Sequence, residues 1–389
     1  MRKILILSAA VIMAVSCAES MDSLADRVFT AAQQQYELMH SNTAEGFYPR
    51  TFQNGEFVDT PAANWTSGFY PGALWYIYEY SSDETVREMA DAYTRNLDTL
   101  YTCPFTNHDI GFQIQCSYLN GYRLTGNEDY LKFIELNADK LAKRFSPITG
   151  CIKSWDNDTW EFPVIIDNMM NLELLMVAAE MFNADSLITV AQTHANTTMA
   201  NHFRDDYSCC HLVDYSIEDG SVLLKQTVQG LADDSSWARG QAWAIYGYAM
   251  MAQKCKDQEL ATAYLTHAEN IAGMLLKRLP KDGVPYWDFD SNDIPDDVMD
   301  SSAAAIMASG FVTLAELTAD KSLAKKCMKM AETQIRSLAS EMYFSKIGEN
   351  GGFLLMHGTG NKPSGREIDT PLIYGDYYFL EAILKYLKY

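Results

Sequence analysis

The sequence predicts an all-α protein, an (α/α)6 toroid of six helical hairpins, and three observations carry that expectation. Strand signals are scarce, with little sustained period-two alternation and no Asn-Gly hairpin flanked by β-branched runs. Apolar residues instead recur at three- and four-residue spacing over 24–38, 74–80, 86–100, 112–124, 130–145 and 169–181, and again over 187–203, 242–251, 260–279, 303–317, 323–342 and 377–387. Short polar turns, Ser81-Ser82-Asp83, Thr125-Gly126-Asn127 and Thr318-Ala319-Asp320, join consecutive helices and make them antiparallel neighbours.

Between the pairs the connections are longer and rich in Gly, Trp, Tyr and Asp, at 45–67, 149–163, 205–236, 280–301 and 344–373. Long loops at one end of a regular scaffold are where binding groups usually sit. A weak internal echo supports a repeated unit. Gly68-Phe-Tyr-Pro-Gly-Ala-Leu-Trp75, Gly240-Gln-Ala-Trp-Ala-Ile-Tyr-Gly-Tyr248 and Gly375-Asp-Tyr-Tyr-Phe-Leu380 each set glycine and aromatics at a helix start. A helical repeat array that never closes is the structural alternative. Closure is favoured because these segments run through the whole chain instead of marking end caps.

With 389 residues, 48% of them hydrophobic, the chain can bury one large core, and no linker divides it; 22–389 is expected to be a single domain. Before it, Arg2 and Lys3 precede an apolar run over 4–15, the pattern of an export signal too short to span a bilayer. Ala14-Val15-Ser16-Cys17 closes the 1–17 signal segment and resembles a lipobox, so cleavage would fall before Cys17, which would be lipidated and become the mature N-terminus; cleavage after Ala18 is the alternative. Either outcome exports the protein, to the periplasm or to an outer-membrane lipid anchor. That lipid is the one membrane contact expected.

The formal net charge of −21 repels phosphate backbones, and no basic stripe exists, so nucleic acid is excluded as a partner. An acidic sugar would need a few cations placed locally in a cleft. Seven cysteines beyond Cys17, with no C-x-x-C spacing, speak against a disulfide framework or a zinc site. No metal-ligand cluster is visible, and the oligomeric state is not legible.

Three segments carry chemistry. In Phe162-Pro-Val-Ile-Ile-Asp167-Asn168-Met-Met-Asn171 a single carboxylate sits among apolar residues where a helix begins. It is either an N-cap or an acid whose apolar neighbours penalise its ionised form and raise its pKa. In Asn107-His108-Asp109-Ile-Gly111-Phe112 a second carboxylate offers the same choice, with His108 as a polar surface residue in the plainer reading. In Trp237-Ala-Arg239-Gly240-Gln241-Ala-Trp243 an arginine lies between two tryptophans. It could grip a carboxylate while the indoles stack on sugar faces, or it could form a structural salt bridge with Asp233 or Asp234. Trp65 and Tyr70 add aromatic surface.

Read in order, these segments resemble a known family. Asn64-Trp65-Thr-Ser-Gly68-Phe-Tyr-Pro71-Gly72-Ala-Leu-Trp75, His108-Asp109-Ile-Gly111-Phe112, Ile166-Asp167-Asn168, Trp237-Ala-Arg239-Gly240-Gln241-Ala-Trp243 and Ile373-Tyr-Gly375-Asp376-Tyr-Tyr-Phe-Leu-Glu381-Ala look like family 88 of the glycoside hydrolases, the unsaturated glucuronyl hydrolases. The resemblance runs from about Asp22 to the C-terminus. It implies removal of a 4,5-unsaturated uronic acid from the non-reducing end of short acidic, glycosaminoglycan-type oligosaccharides. Asp167 would be the general acid and base and Asp109 its companion carboxylate. Trp65, Gln229, Trp237, Arg239 and Trp243 would line the uronate site, with His108 and Asn168 beside the two acids. In the loop His357-Gly-Thr359-Gly-Asn361-Lys362-Pro363, Thr359 and Lys362 would meet the next sugar or its sulfate.

The chemistry so implied hydrates the C4=C5 bond: Asp167 protonates C4, water adds at C5, and the hemiketal opens to expel the aglycone. Neither proton transfer nor water addition needs a metal or organic cofactor, and none is expected. One departure is Val228, where many members carry histidine before the glutamine. The unsaturated rhamnogalacturonyl hydrolases share the toroid and the chemistry; the Gly-Phe-Tyr-Pro-Gly and Trp-Ala-Arg-Gly-Gln segments favour family 88. A non-catalytic sugar-binding lipoprotein is the alternative from another class.

Overall fold

The structure, a computed structural model, describes residues 19–103 and 107–389. The export signal and Cys17 lie outside the described residues. Six inner helical elements form a ring: Phe69–Ser81, the segment 110–125, Asn168–Phe182, Ala238–Lys254, Ser301–Leu317 and Ile373–Lys388. Each packs on the next, and Ile373–Lys388 packs back on Phe69–Ser81, so the array closes as expected. Six outer helices, Met21–Asn42, Glu84–Arg95, Leu131–Ala142, Asp185–Asn201, Gln258–Arg278 and Lys321–Leu338, surround them.

The inner and outer sets differ for a reason visible in their side chains. Every residue from Ser301 to Ala315 is buried, because a helix that is small or apolar on all sides must sit between others. The outer Glu84–Arg95 buries only Val86, Ala90, Tyr93 and Thr94, one stripe. Three of the outer helices start on aspartates that cap them: Asp83 accepts from the Thr85 N–H, Asp257 from Glu259 and Leu260, and Asp320 from Ser322 and Leu323. These caps sit in the tight turns and fix the antiparallel hairpins.

Several helices start or end a few residues from the expected bounds, and two change character. The one expected over 86–100 ends at Arg95 and continues as the tighter turn Asn96–Asp98 and the short helix Thr99–Thr102. The one expected over 112–124 starts at Ile110 and widens to π-helical hydrogen bonding over Gln115–Leu119. Among the described residues the loops also hold four small antiparallel sheets, including Phe47–Gln53 with Glu56–Pro61 and Gly358–Asn361 with Arg366–Thr370. The first is an Asn-Gly hairpin, with Asn54 and Gly55 both at positive φ (55° and 81°), whose strands lack the β-branched runs that the sequence pattern requires. Its strands carry Pro49, Arg50, Gln53 and Glu56 in place of β-branched residues.

Candidate active site

Asp109 and Asp167 start adjacent inner helices, at the end of the ring where the long loops gather. Neither side chain caps its helix: both backbones already have right-handed helical angles, and neither carboxylate accepts from the first turn. The capping reading fails for both, and the carboxylates line one cavity of about 290 Å³. Gly111 makes that convergence possible. A Cβ there would lie 2.4 Å from Cβ and Oδ1 of Asn171, so only glycine lets the two helix starts approach this closely.

Asn171 then ties them together. Its Oδ1 accepts the Phe112 N–H at 2.7 Å, and its Nδ2 contacts Nδ1 of His108 at 2.9 Å. The amide must therefore donate, leaving the His108 proton on Nε2, 3.4 Å from Asp109. His108 is buried (1% exposed) and lines the cavity, against the surface position of the plainer reading.

Both acids are held above the ordinary carboxylate range. Burial, then the neighbouring Asp167 charge, pushes Asp109 up to about 8. Burial pushes Asp167 up to about 6, offset by the Arg239 charge and the Trp243 indole N–H. Two facing acids that differ this way keep one proton between them across neutrality.

Several sequence expectations are redirected by the geometry. Trp65, Gln229 and Arg239 line the cavity as expected. Arg239 is internally committed, however, to Asp300 at 2.9 Å and to the carbonyls of Thr359 and Gly360 at 2.6 and 2.5 Å. It forms a structural salt bridge, but with Asp300 instead of Asp233 or Asp234, and its field still reaches Asp167. Trp237 stacks its ring under the guanidinium, 4.5 Å away, and does not reach the cavity wall. Trp243 is fully buried between Phe112 and Tyr378, behind Asp167.

Asn168 does not face the cavity. It accepts from Ser154 Oγ and donates to the Ile152 carbonyl, pinning the loop that precedes its helix. Thr359 donates to the Met299 carbonyl, and Lys362 is paired with Asp297 over the Trp287 ring, so neither points at a ligand. The cation that lines the cavity from this hairpin is Arg366, exposed and with no carboxylate partner among the described residues. Arg50 lines it too, paired with Glu367 at 2.6 Å.

Sequence reading missed Arg50, Trp155, His211, Asn171, Arg366 and Tyr374. Trp155 and Tyr374 add aromatic wall. His211 arrives because Leu212–Tyr215 pairs with Pro163–Ile165, an extension that brings the His211 carbonyl to the Ile166 N–H at 3.0 Å. No local pattern marks such a residue. The six buried cysteines at 116, 151, 209, 210, 255 and 327 pack as thiols.

The family model for Glycosyl Hydrolase Family 88 matches residues 38–389. The chain belongs to that family. This family 88 hydrolase is 42% identical over 328 residues to an unsaturated glucuronyl hydrolase of Formosa agariphila, covering 83% of this chain and 80% of that one. Among solved structures it resembles an unsaturated glucuronyl hydrolase specific for heparin, with 42% identity, a TM-score of 0.90 and coverage of 94% and 98%. It also resembles a Streptococcus agalactiae unsaturated glucuronyl hydrolase variant complexed with dGlcA-GalNAc6S, with 28% identity, a TM-score of 0.79 and coverage of 99% and 98%. Family membership makes the chain a glycoside hydrolase and removes the binding-protein alternative.

Proposed function

We propose that this hydrolase removes a 4,5-unsaturated uronic acid from the non-reducing end of lyase-generated glycosaminoglycan-type oligosaccharides. The observation that carries the mechanism is a pair of buried carboxyl groups, neither capping its helix, that line one aromatic- and arginine-walled cavity and are both held above the ordinary carboxylate range. Asp167 in its acid form donates to C4, the negatively polarised end of the enol ether. The carboxylate left behind takes a proton from water as that water adds to C5. Near neutral pH the proton of the pair rests mainly on Asp109, and the minor form that carries it on Asp167 is the one that donates to C4. Such acid–base help contributes about 10²–10⁴-fold. Arg239, Trp237 and Trp243 back the site, fixing the field and the orientation around Asp167.

Arg366 takes the role first sought in Lys362, a cation for a sulfate or carboxylate on the sugar next to the uronate. The test is to incubate the protein with lyase-generated chondroitin, hyaluronan and heparin disaccharides and follow the loss of the alkene's ultraviolet absorbance. Loss on none of them refutes the assignment. Export, with a lipid on Cys17, is part of the same proposal, since the polymers are extracellular; mass spectrometry of the mature N-terminus decides it.

A further inference from the structure

We propose that His211 is a positioning residue which, with Asp167, holds the water that adds to the substrate's double bond. The proposal rests on the acid–base role of Asp167 given above. Two backbone groups, the Val228 and Gln229 N–H, both donate to Nδ1 of His211, at 2.9 and 3.3 Å. An atom accepting two hydrogens carries none of its own, so the ring's single proton sits on Nε2. Burial and the nearby Arg239 charge keep the imidazole neutral, which fixes that tautomer.

Nε2 of His211 lies 3.8 Å from Oδ2 of Asp167, beyond direct hydrogen-bond reach. Both atoms are buried and neither has a hydrogen-bond partner among the described residues, an arrangement that proteins avoid unless something occupies the gap. One oxygen placed about 2.8 Å from each atom satisfies both. That oxygen accepts from His211 and donates to the Asp167 carboxylate, so its remaining lone pair is free for C5. In the hydration step the water O–H bond breaks toward Asp167 as the O–C5 bond forms. His211 keeps its proton throughout and only orients.

The departure at Val228 acquires a meaning here. Its side chain lines the cavity, and its main-chain N–H sets the tautomer, a task independent of side-chain identity.

The test compares two substitutions that each keep half of the ring's function. His211→Gln offers an amide N–H near the Nε2 position; His211→Asn offers an oxygen near Nδ1 to accept the loop N–H groups. The expected result is that His211→Gln retains kcat within about tenfold while His211→Asn loses about 10²–10³-fold in kcat at little-changed KM, the cost of removing one aligned donor. The reverse pattern, with Asn active and Gln inactive, reduces His211 to a structural pin for the 228–229 loop and overturns the proposal. Asp167→Asn is assayed alongside: if it turns over, the reading of the site fails, whereas if it is inactive and His211→Asn matches wild type, only the role of His211 fails. Should neither histidine variant fold, the 15N spectrum of histidine-labelled wild type decides. A proton on Nδ1 overturns the proposal and a proton on Nε2 supports it.

Discussion

Replacing Asp167 with asparagine should make the protein inactive and more stable at the same time. Burial moves this carboxyl from 3.8 to about 6, a cost of about 3 kcal/mol for holding its charge in the folded state. The folded form therefore keeps its proton to higher pH than the unfolded chain does. Between about pH 4 and pH 6 it binds more protons than the unfolded chain, and stability falls as pH rises across that window. Above it the whole cost is present. Asparagine never ionises, so at pH 8 the variant should gain most of that about 3 kcal/mol, and for a chain of this size Tm should rise by roughly 4 °C. At pH 4, where the wild-type acid is neutral, the two proteins should melt together. Turnover of an unsaturated disaccharide should fall by at least about 100-fold at both pH values, since acid–base help of this kind contributes about 10²–10⁴-fold. Scanning calorimetry at the two pH values and the alkene absorbance assay read both effects. Equal melting at pH 8, or substantial residual turnover, would refute the account of a strained, proton-carrying acid.

The remaining expectations concern the groups around it. Asp109→Asn should be severely impaired and should move the alkaline limb of the kcat/KM profile from near 8 toward 6, because Asp167 would then hold the last proton of the pair; an unmoved limb excludes the shared proton. Gly111→Ala forces Asn171 away from the His108 side, and a displacement of about 1 Å there should cost on the order of 10²-fold in kcat with the circular dichroism spectrum kept. Asp300→Asn strands the buried Arg239 charge and should lower unfolding stability by about 3–5 kcal/mol in a denaturant titration. Arg366→Ala should raise KM for sulfated disaccharides much more than for unsulfated ones, while Lys362→Ala, which only frees Asp297, should leave that ratio unchanged.

The hairpins and their order were legible because they depend on local periodicity: a 3.6-residue apolar pattern writes each helix, and aspartates in short turns such as Asp83 and Asp320 write some of the starts, while closure was read from the glycine-aromatic segments spread along the whole chain. Asp109 and Asp167 stood out as carboxylates among apolar residues at helix starts, and the motif order pointed to family 88. What they do there was not local. Whether such an aspartate caps its helix or faces a cavity depends on backbone angles and on how closely two helices pass, which Gly111 decides through a residue 60 positions away, Asn171.

The sequence by itself determined the ring of helices, the family, and the pair of acids on which the chemistry rests, since residue type and spacing carry that information. Only the tertiary structure decided the company those acids keep. Lys362, Thr359 and Asn168 had the right chemistry and were turned to internal partners, while short strands without any local signature brought Arg366 to the cavity and His211 behind Asp167. A side chain's partners are set by contacts between distant segments, and those exist only once the ring has closed.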